Sequence, residues 1–253
     1  MRYLKPLLAA LTAFLLCSCE TTSLPQEVEP LTIVLIGDST MAKKRDTARP
    51  EMGWGEALEA FFDGSVSVSN HALNGRSSKS FIGEGHWEKA LAELQEGDVL
   101  VVEFGHNDQK IKSPDRYTEP YGEYSDNLRR YAQEAQERGA SVIIASSICR
   151  RKFNEAGVLE DTHGDYPAAA EAVAEELGLP YVDMEARSRE MLIALGPQAS
   201  EGLFMNLKPE EFENYPDGKE DNTHLQPQGA KAHAQLFVDG LLDLGHPLTE
   251  RLR

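Results

Sequence analysis

Five short apolar runs recur along this chain with helix-patterned segments between them, and that alternation limits the folds open to it. The runs are Leu31–Ile36, Ser65–Ser69, Asp98–Phe104, Ser141–Ser146 and Pro180–Asp183, and they read as buried strands. Between them, Trp54–Phe62 repeats apolar residues at helical spacing. His86–Leu94 sets Trp87, Ala90, Leu91 and Leu94 on one face. Tyr121–Arg138 is long and amphipathic, with Gly139 placed to end it. Tyr166–Leu177 is alanine-rich and stops at Gly178, and Gln228–Leu244 lies between Pro227 and Gly245. Strands alternating with helices predict an α/β domain, a five-stranded parallel sheet covered on both faces with right-handed crossovers. In such sheets the site lies at the carboxyl ends of the strands. That rule selects Gly37-Asp38-Ser39, Asn70 to Gly75, and Gly105-His106-Asn107-Asp108.

The N-terminus stands apart. Arg2 and Lys5 precede the apolar stretch Leu7–Leu16, too short to span a bilayer, so residues 1–18 read as a secretion signal. Leu16-Cys17-Ser18-Cys19 looks like a bacterial lipobox, with cleavage before Cys19 and lipid on its sulfur; the alternative is an ordinary signal peptide cut nearby. Residues 19–30 form a tether and 31–253 one domain, expected as a monomer. The expectation is an exported, membrane-anchored bacterial lipoprotein, periplasmic or at the cell surface. Mass spectrometry of the membrane fraction checks it: a lipid-modified Cys19 is expected, and an unmodified N-terminus counts against it. Within residues 31–253 only Cys149 remains, so no internal disulfide forms and packing holds the domain. Cys149 ends a strand-like run and reads as a buried small residue. The net charge of −17 disfavours nucleic acid as partner.

Two motifs at opposite ends supply nucleophilic chemistry. Gly37-Asp38-Ser39-Thr40 puts a serine at a strand-to-helix turn, and Asp221-Asn222-Thr223-His224 puts an acid three residues before a histidine. The spacing lets the loop curl so that the carboxylate meets one imidazole nitrogen and leaves the other for Ser39. Each motif alone has a structural explanation, Ser39 as a helix N-cap and Asp221 as a turn cap; the pair discriminates better than either. A tetrahedral intermediate also needs donors for its oxyanion. The Asn107 amide and the backbone N–H groups of Gly75 and Ser39 fit that need. His106, Asp108 and His163 do not form a recognisable ligand set, so no metal or cofactor is expected. The Gly-x-Ser-x-Gly elbow is missing, since position 41 is Met41.

Taken in order, Gly37-Asp38-Ser39-Thr40, Gly75, Gly105-His106-Asn107-Asp108 and Asp221-Asn222-Thr223-His224 resemble the blocks of the SGNH/GDSL hydrolases. Ser39-Thr40-Met41-Ala42, Gly75-Arg76-Ser77-Ser78, Phe104-Gly105-His106-Asn107-Asp108 and Thr223-His224-Leu225 look like the rhamnogalacturonan acetylesterase branch. Asn74-Gly75 stands where Gly-Gly is common. The resemblance implies a three-layer α/β/α flavodoxin-like sandwich and removal of O-acetyl groups from pectic polysaccharide. It implies Ser39 as nucleophile, His224 as base and Asp221 as its orienter. Ser39, Gly75 and Asn107 would form the oxyanion hole.

Pectin is acidic, as is this chain, so local cations would have to receive it. Lys43, Lys44, Arg45 and Arg49 follow the first strand, Arg76 and Lys79 the second, and Arg150, Arg151 and Lys152 the fourth. They suggest a basic rim, with Arg76, Arg151 and His106 as substrate contacts; ordinary surface or internal salt bridges are the competing explanation. Two other functions stay open at this point. One is the same chemistry on acetylxylan or another small-acyl ester, and the other a tethered glycan-binding protein that no longer turns over.

Overall fold

The computed structural model describes residues 29–253; the expected leader, Cys19 and all but the last two residues of the tether lie outside the described residues. Five parallel strands form one sheet in the order β2-β1-β3-β4-β5. They are β1 (Leu31–Gly37), β2 (Val66–Asn70), β3 (Val99–Glu103), β4 (Ser141–Ala145) and β5 (Tyr181–Val182). Seven helices accompany them among the described residues: α1 (Trp54–Ala57), α2 (Ser78–Gly83), α3 (His86–Glu93), α4 (Ser125–Gln136), α5 (Tyr166–Leu177), α6 (Met184–Ala199) and α7 (Pro227–Asp243). No helix among the described residues is long and apolar enough to cross a membrane.

The two-residue side-chain period of a strand explains why the runs are apolar throughout. Ile33, Leu35, Val99, Val101, Ile143 and Ala145 face one way and pack with Trp54, Leu192, Phe237 and Leu241 from α1, α6 and α7. Val34, Ile36, Leu100, Val102, Val142 and Ile144 face the other way and pack with Trp87, Leu128, Tyr131 and Val173 from α3, α4 and α5. Each Val, Leu, Ile or Phe among them, fully buried, contributes roughly 1.5–3 kcal/mol. The result is the expected three-layer α/β/α sandwich.

Some elements differ from expectation. The helix expected over Trp54–Phe62 stays α-helical only through Ala57, then tightens to a 3₁₀ turn over Leu58–Phe61. There the chain turns to meet the C-terminus, with Asp63 N–H on the Arg251 carbonyl and Arg253 N–H on that of Phe61. α4 starts at Ser125 rather than Tyr121, because Gly122 leaves the helical region (φ −109°, ψ −113°). α2 and α6 have no counterpart in the sequence reading. In α6 only Met184, Ser188 and Leu192 are buried across sixteen residues, so its apolar face is thin.

Candidate active site

β1 ends in Gly37, and the chain turns at once through Asp38, Ser39 and Thr40. The turn is held by Asp38 Oδ1, which accepts bonds from the Thr40 N–H and hydroxyl, both at 3.0 Å. Asp38 is fully buried, and burial alone would raise its pKa. His106 and the Thr40 bonds outweigh that and hold the carboxyl down at about 2. Beside it, the buried Glu103 is pushed well up by desolvation and by the Asp38 charge. It receives the Trp54 indole N–H at 3.0 Å. Two carboxyls pushed in opposite directions, Asp38 down and Glu103 up, thus underlie the turn that presents Ser39.

Asp221 and His224 arrive on the loop before α7. Asp221 Oδ1 accepts the backbone N–H of Thr223 (2.9 Å) and of His224 (3.0 Å), which curls the loop back on itself. Asp221 Oδ2 then meets His224 Nδ1 at 2.7 Å, and His224 Nε2 lies 2.9 Å from Ser39 Oγ. Lys219 Nζ adds a contact to Asp221 Oδ2 at 3.2 Å. Burial opposes ionisation of Asp221, but the His224 contact and the two N–H bonds hold its carboxyl well below the usual carboxylate range. The fixed negative charge at Nδ1 places the imidazole proton there and leaves Nε2 as an acceptor facing the serine hydroxyl.

The loops after β2 and β3 carry Gly75 and Asn107 at the same edge of the sheet. Gly75 sits at φ +77°, and a Cβ there would meet nothing closer than Arg116 Nη1 at 3.7 Å. Backbone conformation, not space, is therefore what demands glycine. The N–H groups of Ser39 and Gly75 donate to no backbone carbonyl among the described residues, which leaves both available to a ligand oxygen. Asn107 is buried, its Nδ2 donating to the Arg76 carbonyl at 3.0 Å. Lys44, which the rim reading placed at the surface, is buried. Its ammonium bonds the Ser39 carbonyl, Asn74 Oδ1 (2.7 Å) and Glu51 Oε1 (2.9 Å), tying the nucleophile turn to the Asn74-Gly75 loop.

Each of the three expected substrate contacts has a partner within the protein. His106 is 3% exposed, with Nδ1 3.3 Å from Asp38 Oδ2 and its ring edge-on to His163, so it reaches no substrate. Arg76 forms a salt bridge with Glu84 at 2.6 Å and braces the Asn74 carbonyl. Arg151 binds Asn222 Oδ1 (2.6 Å), Ser200 Oγ (3.1 Å) and the Pro197 carbonyl, so it braces the loop between Asp221 and His224. Arg49, Lys79 and Lys152 pair with Glu56, Glu123 and Glu160. Two basic hollows remain at this edge of the sheet. One, about 440 Å³, is lined by Arg150, Arg151, Phe153, Asn222 and Thr223. The other, about 380 Å³, is lined by Lys43, Arg45, Asn74, Arg76 and His86.

Other reactive groups are accounted for. Cys149 is buried and desolvation pushes its thiol up to about 12, which removes it as a nucleophile. Asp108 receives Ser78 Oγ (2.6 Å) and Thr118 Oγ1 (2.9 Å) and anchors the start of α2. Asp161, His163 and Glu185 converge, but the Arg189 guanidinium already lies against Glu185 and within 3.9 Å of Asp161.

Comparison with known proteins agrees with this arrangement. The family model described as "GDSL-like Lipase/Acylhydrolase family" matches residues 35–232. The chain is 40% identical to the rhamnogalacturonan acetylesterase RhgT of Bacillus subtilis (strain 168), over 88% of this chain and 95% of that one. It is 33% identical to the probable rhamnogalacturonan acetylesterase YesY of the same organism, over 87% and 96%. Among solved structures it superposes on the Bacillus subtilis protein YxiM with a TM-score of 0.74 at 27% identity, covering 88% of this chain and 59% of that one.

Proposed function

The chain belongs to the GDSL-like lipase/acylhydrolase family, and from that premise we propose that it is a serine esterase releasing acetate from O-acetylated pectic polysaccharide of the rhamnogalacturonan type. The observation that carries the chemistry is the hydrogen-bonded series Ser39 Oγ–His224–Asp221, at 2.9 and 2.7 Å. His224 Nε2 takes the Ser39 proton as Oγ attacks the acetyl carbonyl. The negative oxygen is received by the N–H groups of Ser39 and Gly75 and by the Asn107 amide. Collapse expels the sugar oxygen, which takes the proton from His224. Water, deprotonated by His224, then cleaves the acetyl–serine ester, and acetate leaves with Ser39 restored.

The kinship with the two rhamnogalacturonan acetylesterases supports the pectic substrate. So do the basic hollows, an exception on a chain of net charge −17. Uronate carboxylates are received there, at Lys43 and Arg45 on one side and, on the other, at the rim of Arg150, whose guanidinium is also held by the Thr162 and His106 carbonyls. Acetate release from acetylated rhamnogalacturonan, with acetylated xylan in parallel, tests this. Release from the pectic substrate is expected to dominate and to weaken with added salt, since the attraction is screened over about a Debye length. Release from xylan alone would keep the mechanism and overturn the substrate. We also propose, on the sequence alone, that a lipid on Cys19 holds the enzyme at a membrane.

A further inference from the structure

Lys110 stands at the edge of the site with no role in the mechanism above. It follows β3 by a tight turn, its N–H on the Asn107 carbonyl at 3.2 Å. The turn brings Nζ back onto the side chain of Asn107, 2.6 Å from Oδ1. The other end of that amide donates to the Arg76 carbonyl at 3.0 Å. A flipped amide would set its NH₂ against the ammonium and its oxygen against a carbonyl. The two contacts therefore select one orientation, in which Nδ2 keeps a second N–H for a ligand. They also act on its strength. The amide is conjugated, so a cation on oxygen draws density from nitrogen and makes the N–H a better donor. Desolvation and the charges of Arg116 and Arg150 lower the Lys110 pKa, with Asp38 opposing, and a more acidic ammonium bonds Oδ1 more strongly.

We propose that Lys110 is a positioning residue of the oxyanion hole: its ammonium holds the Asn107 amide in the donating orientation and polarises the N–H that meets the reacting carbonyl oxygen. The proposal rests on the reading of Asn107 as an oxyanion donor. It separates Lys110 from the cations that receive uronates, because its effect falls on the chemical step and not on polyanion binding.

The test uses 4-nitrophenyl acetate, an uncharged ester, beside acetylated rhamnogalacturonan. Lys110→Met is expected to lower kcat about 5- to 20-fold on both substrates with KM on the uncharged ester within about twofold, a fraction of what loss of a whole donor costs. Lys110→Arg, which keeps charge and donor, restores most of the rate. In an Asn107→Ala background, itself about 10²- to 10³-fold slow, Lys110→Met has no further effect, as a double-mutant cycle requires of one residue acting through another. A loss confined to KM on the pectic substrate would make Lys110 a uronate contact and overturn the proposal. Additive losses in the double variant would overturn it too. A slow Asn107→Ala beside an unimpaired Lys110→Met overturns the proposal alone, whereas an unimpaired Asn107→Ala overturns the reading of Asn107 and the proposal with it.

Discussion

Ser39→Ala is expected to lower kcat for acetate release on the order of 10⁵- to 10⁶-fold. The reason is local. Ser39 Oγ makes its contact with His224 Nε2 and supplies the attacking oxygen, so its loss leaves a positioned base with nothing to deprotonate. What survives is the part of catalysis that needs no nucleophile. The N–H of residue 39, the N–H of Gly75 and the Asn107 amide still receive a carbonyl oxygen, and a water can occupy the space left by the hydroxyl. The fold should not notice the change. The turn is held by Asp38 and Thr40, and its carbonyl by Lys44, none of which uses the serine hydroxyl. Wild type and variant should therefore melt together and bind the acetylated polysaccharide alike. Acetate release beside a thermal melt checks both halves. A variant that folds like the wild type and keeps more than a percent of its rate would remove Ser39 as nucleophile.

Why Ser39, Asp221, His224 and Asn107 are legible in the sequence while Arg76 and Arg151 are not has a physical answer. The first four occupy short segments whose backbone dictates where the side chain goes. A serine right after β1 must lie at the sheet edge, and an acid three residues before a histidine bonds its own loop before it bonds anything else. The strands are legible for a similar reason, since burial on both faces leaves no polar position in Ile33–Ile36 or Leu100–Val102. Long cationic side chains obey no such rule. Strand order places Arg76 and Arg151 at the correct edge, but the direction of each depends on a partner in another element: Glu84 just past α2 and Asn222 in the loop before α7. Lys44 is the extreme case, a lysine buried because Glu51, Asn74 and the Ser39 carbonyl all face it. α6 stayed hidden because its sixteen residues bury three side chains and run through Gly196-Pro197 near the end. In α2, six residues with Ser77 as N-cap leave too short a pattern to read.

Asp221→Asn separates the two functions that one carboxylate performs. Asn keeps Oδ1, so the bonds from Thr223 and His224 N–H survive and the loop stays curled. Oδ2 is replaced by an NH₂ that faces His224 Nδ1 across 2.7 Å. Two N–H groups cannot share that contact, so the imidazole proton shifts to Nε2, where it blocks acceptance of the Ser39 proton. The expected loss in kcat is on the order of 10⁴-fold, with KM little changed. Stability gives an independent readout with a defined sign. The native Asp221 carboxyl titrates below its unfolded value near 4, so the folded state binds fewer protons than the unfolded chain. The stabilisation is present above that pH and is lost as the pH falls. Asp221→Asn should therefore be less stable than wild type at neutral pH, by about 1 kcal/mol once solvent screening is allowed for. The two melting curves should converge in acid. A rate loss without that convergence would mean that the carboxylate orients His224 but is not ionised in the fold. Convergence without a rate loss would mean that His224 holds its tautomer without Asp221, and the order of roles proposed for the three residues would fall.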